Sequence, residues 1–179
     1  MTIINGKVCV VDGAAVDKVL SDGKLVYSRN LYLNSKAIRA AIPAGGGITK
    51  STVEPFDSIT DMWHIVAKQG SGINGIYIPS YANDKLPDTS DWSYSADIKG
   101  MGTIYRFGIE KGSINPLVGS VGSEWSRISQ TGSFSKLDRK TIVMYFNTSN
   151  SPVDVYIKLP KLEKGTTATP YSIAPEDVM

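Results

Sequence analysis

The sequence predicts an all-β protein built as a two-sheet antiparallel sandwich. Three observations carry that expectation. Large apolar residues recur at every second position in several separate segments, which is the period of strands and not of helices. The 179 residues include 17 glycines, 9 prolines and 9 tyrosines, with few long runs of Leu, Ala, Glu and Lys. Clusters of Gly, Pro, Asn, Asp and Ser punctuate the chain between the periodic segments, as turns between strands require. A chain of this length can bury roughly 70% of its unfolded surface, enough for one good-sized core without staples.

The chain opens with two hairpin signals. Residues 7–11 and 15–20 flank Asp12-Gly13, and Ser21-Asp22-Gly23 leads into residues 24–27. Asp-Gly between apolar runs favours a type I′ turn, because glycine accepts the positive φ that the turn demands. Residues 1–29 are therefore expected to form a small β-hairpin element, with the main domain at 30–179. Only residues 36–41 could make a helical turn, and Gly45-Gly46-Gly47 would stop it. That glycine run lacks the Lys-Ser/Thr of a phosphate loop.

Strands follow one another from there. In 92–98, Trp92, Tyr94, Ala96 and Ile98 share one face, with Ser93, Ser95 and Asp97 on the other. In 103–110, Tyr105, Phe107 and Ile109 alternate with Ile104, Arg106 and Gly108. In 141–146, Ile142, Met144 and Phe146 alternate with Val143 and Tyr145. In 153–159, Val153, Val155, Ile157 and Leu159 alternate with Asp154, Tyr156 and Lys158. Less regular strands are expected at 47–53, 62–67, 73–78 and 125–132. Many strands with turns between them make a two-sheet sandwich.

Composition narrows the function. A net charge of +2 gives no bulk attraction for nucleic acid or membranes. No segment approaches the ~18 consecutive apolar residues of a membrane span. The opening MTIINGKVCVV lacks the basic start and apolar run of a secretory signal. Cys9 is the single cysteine, so no intrachain disulfide forms, and a reducing cytoplasm suffices for synthesis.

Three stretches carry a resemblance. Asn30-Leu31-Tyr32-Leu33-Asn34-Ser35 resembles the opening of many phage tail modules. Residues 92–99 followed by Trp125-Ser126-Arg127-Ile128 resemble the middle strands of carbohydrate-binding-module-like jelly rolls. The ending KLEKGTTATPYSIAPED, residues 161–177, is similar to the close of such modules in tail and baseplate proteins of phages that infect lactic acid bacteria and related Gram-positive hosts. The resemblance spans roughly residues 30–177. It implies an all-β, two-sheet antiparallel jelly-roll β-sandwich whose terminal segment, with Pro170 and Tyr171, covers an edge of the core. It also implies a non-catalytic module of a phage tail, made in the bacterial host cytoplasm and carried on the virion. Its partners would be host cell-surface polysaccharide or teichoic-acid sugars and other tail or baseplate proteins, with homo-oligomerisation left open. The alternative is a structural tail or neck component that uses the same sandwich for protein docking and binds no sugar.

A sugar site needs a flat aromatic face for the C–H side of a pyranose and planar polar groups for its hydroxyls. Outward positions in the alternation give His64, Asp97, Arg106, Tyr145 and Tyr156, and Tyr81 joins them from a loop beside Asn83 and Asp84. Arg106 is the preferred residue, because a guanidinium among apolar neighbours is placed either to pair, with Asp97 or Glu110, or to bind a ligand. Trp63 and Trp92 read as core. Trp125, with Arg127 on its face, is a candidate for the rim of a site. His64 is the sole histidine, so neither a zinc centre nor a histidine-based triad can be assembled around a second one. Carboxylates at Asp57, Asp61, Asp84, Asp88, Asp91, Asp97, Glu110 and Glu124 show no pair that marks a glycosidase, and no enzymatic activity is expected. No cofactor is expected either. Without an Asp-x-Asp-x-Asp cluster, only a structural calcium ion on loop oxygens is left open.

Overall fold

The computed structural model describes residues 10–11, 14–79, 86, 90–110, 119–134 and 141–178. The chain forms thirteen strands in these residues: β1 Val10–Val11, β2 Ala14–Ala15, β3 Lys18–Ser21, β4 Lys24–Ser28, β5 Ile42–Ala44, β6 Ile48–Pro55, β7 Asp61–Ala67, β8 Ile73–Ile78, β9 Ser90–Ile109, β10 Gly119–Val121, β11 Ser126–Phe134, β12 Ile142–Asn147 and β13 Val153–Lys164. A short 3₁₀ turn, Pro175–Asp177, closes the described chain. The expected helical turn at 36–41 is irregular chain that sends Ile38 into the core.

The expected hairpins are present. β1 pairs with β2, and β3 with β4, each antiparallel. The β3–β4 turn places Asp22 at φ 50° and Gly23 at φ 74°, the left-handed pair that a type I′ turn requires. The strand expected over 15–20 is interrupted at Val16-Asp17, so it is shared between β2 and β3.

The sandwich has two antiparallel layers joined by β9. The first sheet runs β5-β8-β12-β9-β10, and the second runs β6-β7-β13-β9-β11. The two strands expected at 92–98 and 103–110 are thus one strand of 20 residues. Its first part pairs with β13 and β11, and its last part with β12 and β10. Gly100 makes the passage between layers. Its φ is +126°, and a Cβ there would stand 2.1 Å from the Asp154 carbonyl oxygen. Period-two reading cannot distinguish such a bend from a turn, because both interrupt the alternation at a glycine.

The core lies between the layers. Trp63, Ile65, Trp92, Tyr94, Ile98, Phe107, Ile142, Met144, Phe146, Val155 and Ile157 are all buried within it, which places Trp63 and Trp92 as expected. Tyr94 and Phe107 face each other across the gap at 4.9 Å between ring centroids. Two bulges alter the expected faces. The β12–β9 register skips Tyr105 between its Tyr145–Arg106 and Phe146–Ile104 pairs. Tyr105 is consequently 40% exposed and Ile104 is 4% exposed, the reverse of the expected alternation. On β13 the register shifts between Lys158 and Lys161, with Leu159 at φ 52°. Leu159 leaves the core run there, and Leu162 takes its place inside.

Residues 165–178 return along the second sheet and meet the linker after β4. The buried Asn30 side chain accepts from the Tyr32 and Leu162 amides and donates to the Pro160 and Ser172 carbonyls, so every hydrogen-bonding position of the amide is filled. Asp177 accepts from the Asn34 and Ser35 amides at 2.7 and 2.8 Å. Tyr171 donates to Ser35. Of the two residues expected to cover the core edge, Pro170 is exposed and Tyr171 is half-buried, and polar contacts with residues 30–35 hold the segment.

Candidate functional site

Alternation places Tyr77 on β8, Tyr145 on β12 and Arg106 on β9 on the outward side of the first sheet. Register then makes them neighbours. Tyr145 stands opposite Arg106 on one side and Gly75 on the other, and Gly75 stands opposite Ala44. The row Ala44–Gly75–Tyr145–Arg106 thus crosses four strands with almost no side chain on half of its length. A Cβ at Gly75 would lie 2.0 Å from the Met144 carbonyl oxygen, so the strand contact itself keeps this position bare. The result is a row in which a tyrosine stands between a guanidinium and two small residues.

The polar groups of this row are partly committed. Arg106 Nη1 donates to the Glu110 carbonyl at 3.0 Å, while its Nε is shielded from water and has no acceptor among the described residues. Arg106 has no carboxylate partner among the described residues; its guanidinium lies 6.0 Å from the Tyr105 ring centroid. The Tyr145 phenol is pushed up to about 12, first by burial and then by the negative charge of Glu110. It is a neutral hydroxyl at physiological pH, able to take part in hydrogen bonding to a sugar.

His64, Asp97 and Trp125 lie on the opposite, outward side of the second sheet, and they do not meet Arg106 and Tyr145. There the charged and aromatic groups satisfy one another. The His64 ring stacks on Tyr156 at 4.0 Å and 20°. Its Nδ1 faces Glu54 at 3.1 Å and its Nε2 faces Asp154 at 2.8 Å. The carboxylates only accept, so a protonated ring serves both and a neutral ring serves one. His64 is therefore not the exposed polar residue that the sequence indicates; it is buried and flanked by two acids. Hydrogen bonds from Lys50 and Thr52 hold the Glu54 carboxyl down at about 2. Asp97 pairs with Arg127 at 2.8 Å, so the expected alternative pairing of Asp97 with Arg106 does not occur.

Trp125 belongs to a cation cage. Lys158 Nζ sits 3.2 Å from the Phe56 ring centroid and 4.3 Å from that of Trp125, and the two rings meet edge-on at 5.7 Å. Lys99 Nζ lies 5.1 Å from Trp125 and 5.6 Å from Tyr156. Burial lowers the Lys158 amine against the pull of Asp97 and Asp57. A pyranose stacks on a free aromatic face, and lysines or histidine already stand against these rings.

Tyr81 lies outside the described residues. Sequence reading missed Tyr77, Ala44 and Gly75 as neighbours of Tyr145. Tyr77 was legible as an outward aromatic of a weak strand, but the two small residues gain meaning only from strand pairing. No group of three or more His, Cys, Asp or Glu able to hold a metal ion occurs among the described residues.

The sequence matches no protein-family model and no curated protein. Solved structures do match the architecture. The family 11 carbohydrate-binding module of the cellulosomal cellulase Lic26A-Cel5E of Clostridium thermocellum aligns with a TM-score of 0.52 and 14% identity, over 79% of this chain and 96% of that one. The tripod from the baseplate of bacteriophage Tuc2009 aligns at 0.49 and 17% identity, over 84% of this chain and 60% of that one. The CBM22-1 xylan-binding domain of Paenibacillus barcinonensis Xyn10C aligns at 0.47 and 11% identity, over 78% and 94%. At these identities the likeness is one of fold. The chain is an antiparallel jelly-roll sandwich of the kind on which carbohydrate-binding modules are built.

Proposed function

We propose that the protein is a non-catalytic saccharide-binding module of a phage tail, which recognises host cell-surface glycans through the outer face of its first sheet. The observation that carries this reading is the row Ala44–Gly75–Tyr145–Arg106. It sets a half-buried tyrosine ring beside two small residues, with a charged donor at its end. Tyr77 and Glu110 supply further hydroxyl and carboxylate groups alongside. The shared fold with a carbohydrate-binding module is compatible with this role, although a fold hosts many functions. The tail setting rests on the resemblance of residues 30–35 and 161–177 to phage tail modules. In this reading the β3–β4 hairpin, with Leu20 64% exposed, attaches the module to other tail proteins, and several copies turn weak single contacts into adhesion.

The test is saturable labelling of Gram-positive cells and purified wall polysaccharide by the tagged protein, with Tyr145→Ala and Trp125→Ala compared at matched melting temperature. Loss of binding of about 5- to 150-fold in Tyr145→Ala, with Trp125→Ala close to wild type, is expected from the loss of about 1–3 kcal/mol of ring contact. Loss confined to Trp125→Ala would move the site to the second sheet. No labelling of any host, even with the protein clustered on beads, would leave a docking component as the function.

A further inference from the structure

A cavity of about 290 Å³ lies where the β3–β4 hairpin meets the sandwich, lined by Asp17, Lys18, Ser28, Arg29, Leu31 and Lys164. Antiparallel pairing sets Lys18 opposite Ser28 on the hairpin, and Lys164 ends β13 on the sandwich. Arg29 is committed, its Nη1 to Asp17 and its Nη2 to Glu176. Lys18 and Lys164 are exposed and have no hydrogen bond or ion pair among the described residues. Ser28 is only 2% exposed, and its hydroxyl has no hydrogen-bond partner among those residues either. Unlike the Arg29 Nε, that hydroxyl is not sealed from solvent. The lining residues carry three positive charges and one negative charge, and Glu176 brings the excess to one. Two other cavities lack such an excess. Lys99 stands with Asp154 in one, and Arg127 in the other is paired with Asp97.

We infer that this cavity binds a phosphate group, held by Lys18 and Lys164 and by the Ser28 hydroxyl. Ammonium groups and a hydroxyl all donate, and phosphate oxygens accept. A phosphate monoester carries about −1.5 to −2 charge at pH 7, which two lysines match and a single carboxylate charge does not. Lys18 and Lys164 bring like charges from two elements to one cavity, and an anion between them turns repulsion into attraction. Small-molecule sites run from about 300 Å³ upward, so a volume of about 290 Å³ suits an ion or a small monoester and not a glycan chain. Inorganic phosphate and a small phosphate monoester share this chemistry. Because Lys18 and Ser28 belong to the hairpin and Lys164 to the sandwich, the bound group ties the two together. Neither Arg106 nor Tyr145 lines the cavity, so it is separate from the row on the first sheet.

The experiment titrates the full chain calorimetrically with inorganic phosphate and with glycerol phosphate, and follows its melting in each against chloride at equal ionic strength. At about ten times its Kd, phosphate should shift the folding equilibrium about 11-fold, a rise of about 3–6 °C in melting temperature. Chloride should give no such rise. Lys18→Gln and Lys164→Gln should each weaken binding about 10-fold, as the loss of a hydrogen bond to a charged group does, and the double variant should abolish it. Lys24→Gln removes an exposed lysine of the same hairpin that does not line the cavity, and it should bind as the wild type does. Tighter binding of glycerol phosphate assigns the site to a monoester, and tighter binding of inorganic phosphate assigns it to the free ion. A melting rise that never saturates, or that survives in the double variant, is the general salting effect of phosphate and would overturn the site. Equal weakening in Lys24→Gln would reduce the effect to net charge and overturn it as well, as would the absence of measurable heat with both probes.

Discussion

Removal of the Glu163 carboxylate should loosen the terminal segment from the sandwich. Lys161 and Glu163 are both fully buried and lie 3.3 Å apart. Lys161 Nζ donates to Thr169 Oγ1 at 2.7 Å and to the Pro170 carbonyl at 2.8 Å. Glu163 accepts from the Thr169 amide at 3.1 Å and from its hydroxyl at 2.5 Å. Burial lowers the Lys161 amine to about 8 and raises the Glu163 carboxyl, each against the attraction of the other. Glu163→Ala strands a buried ammonium and the Thr169 amide together. Breaking a buried pair on one side costs about 3–5 kcal/mol, or ~6–20 °C of melting temperature at this chain length. The double variant Lys161→Met/Glu163→Leu removes both charges and should lose much less than the two single losses added together. The pH dependence adds a signed check. Without its counter-charge, Lys161 of Glu163→Ala sheds its proton more readily in the folded state than in the unfolded chain. The unfolded state then binds more protons as pH rises from 7 to 9, so the variant regains stability over that range. Urea denaturation at both pH values measures this. A single-variant loss below about 1 kcal/mol, or strict additivity in the double variant, would refute the claim that the pair holds the segment.

Two further outcomes test the fold and the second face. The Glu54 carboxyl is held at about 2 against an ordinary 4.5, so the unfolded chain binds the extra proton between those values. Stability should therefore fall as pH drops through that window, and Glu54→Gln should flatten this part of an acid-unfolding curve. At the β9 bulge, Phe107→Ala should cost about 3–5 kcal/mol, while Tyr105→Ala should stay within about 0.5 kcal/mol. Equal losses at the two positions in chemical denaturation would mean that the alternation runs unbroken through Tyr105.

The sequence by itself determined the class of fold, most of the strands, and the inward turn of Trp63, Trp92, Tyr94 and Ile157. Those follow from local rules, because the side-chain period of a strand is set by its own backbone. It also marked Arg106 and Tyr145 as outward. Tertiary structure alone decided which outward residues meet. Period two reports inside and outside for each strand, but it does not report which sheet a strand joins. His64, Asp97 and Trp125 therefore read like Arg106 and Tyr145 and yet stand on the opposite face. The same limit hid the passage of β9 between layers at Gly100, since a bend and a turn break the pattern alike. The two ends of the main domain show the reverse case. Asn30 to Ser35 and Tyr171 to Asp177 mix polar and apolar residues, and hydrogen bonds between the two stretches account for their polar ones. The Asn30 amide binds the Ser172 carbonyl, and Asp177 binds the Asn34 and Ser35 amides. Buried hydrogen-bonding groups need partners, and here the partners come from opposite ends of the domain, where only the folded chain brings them together.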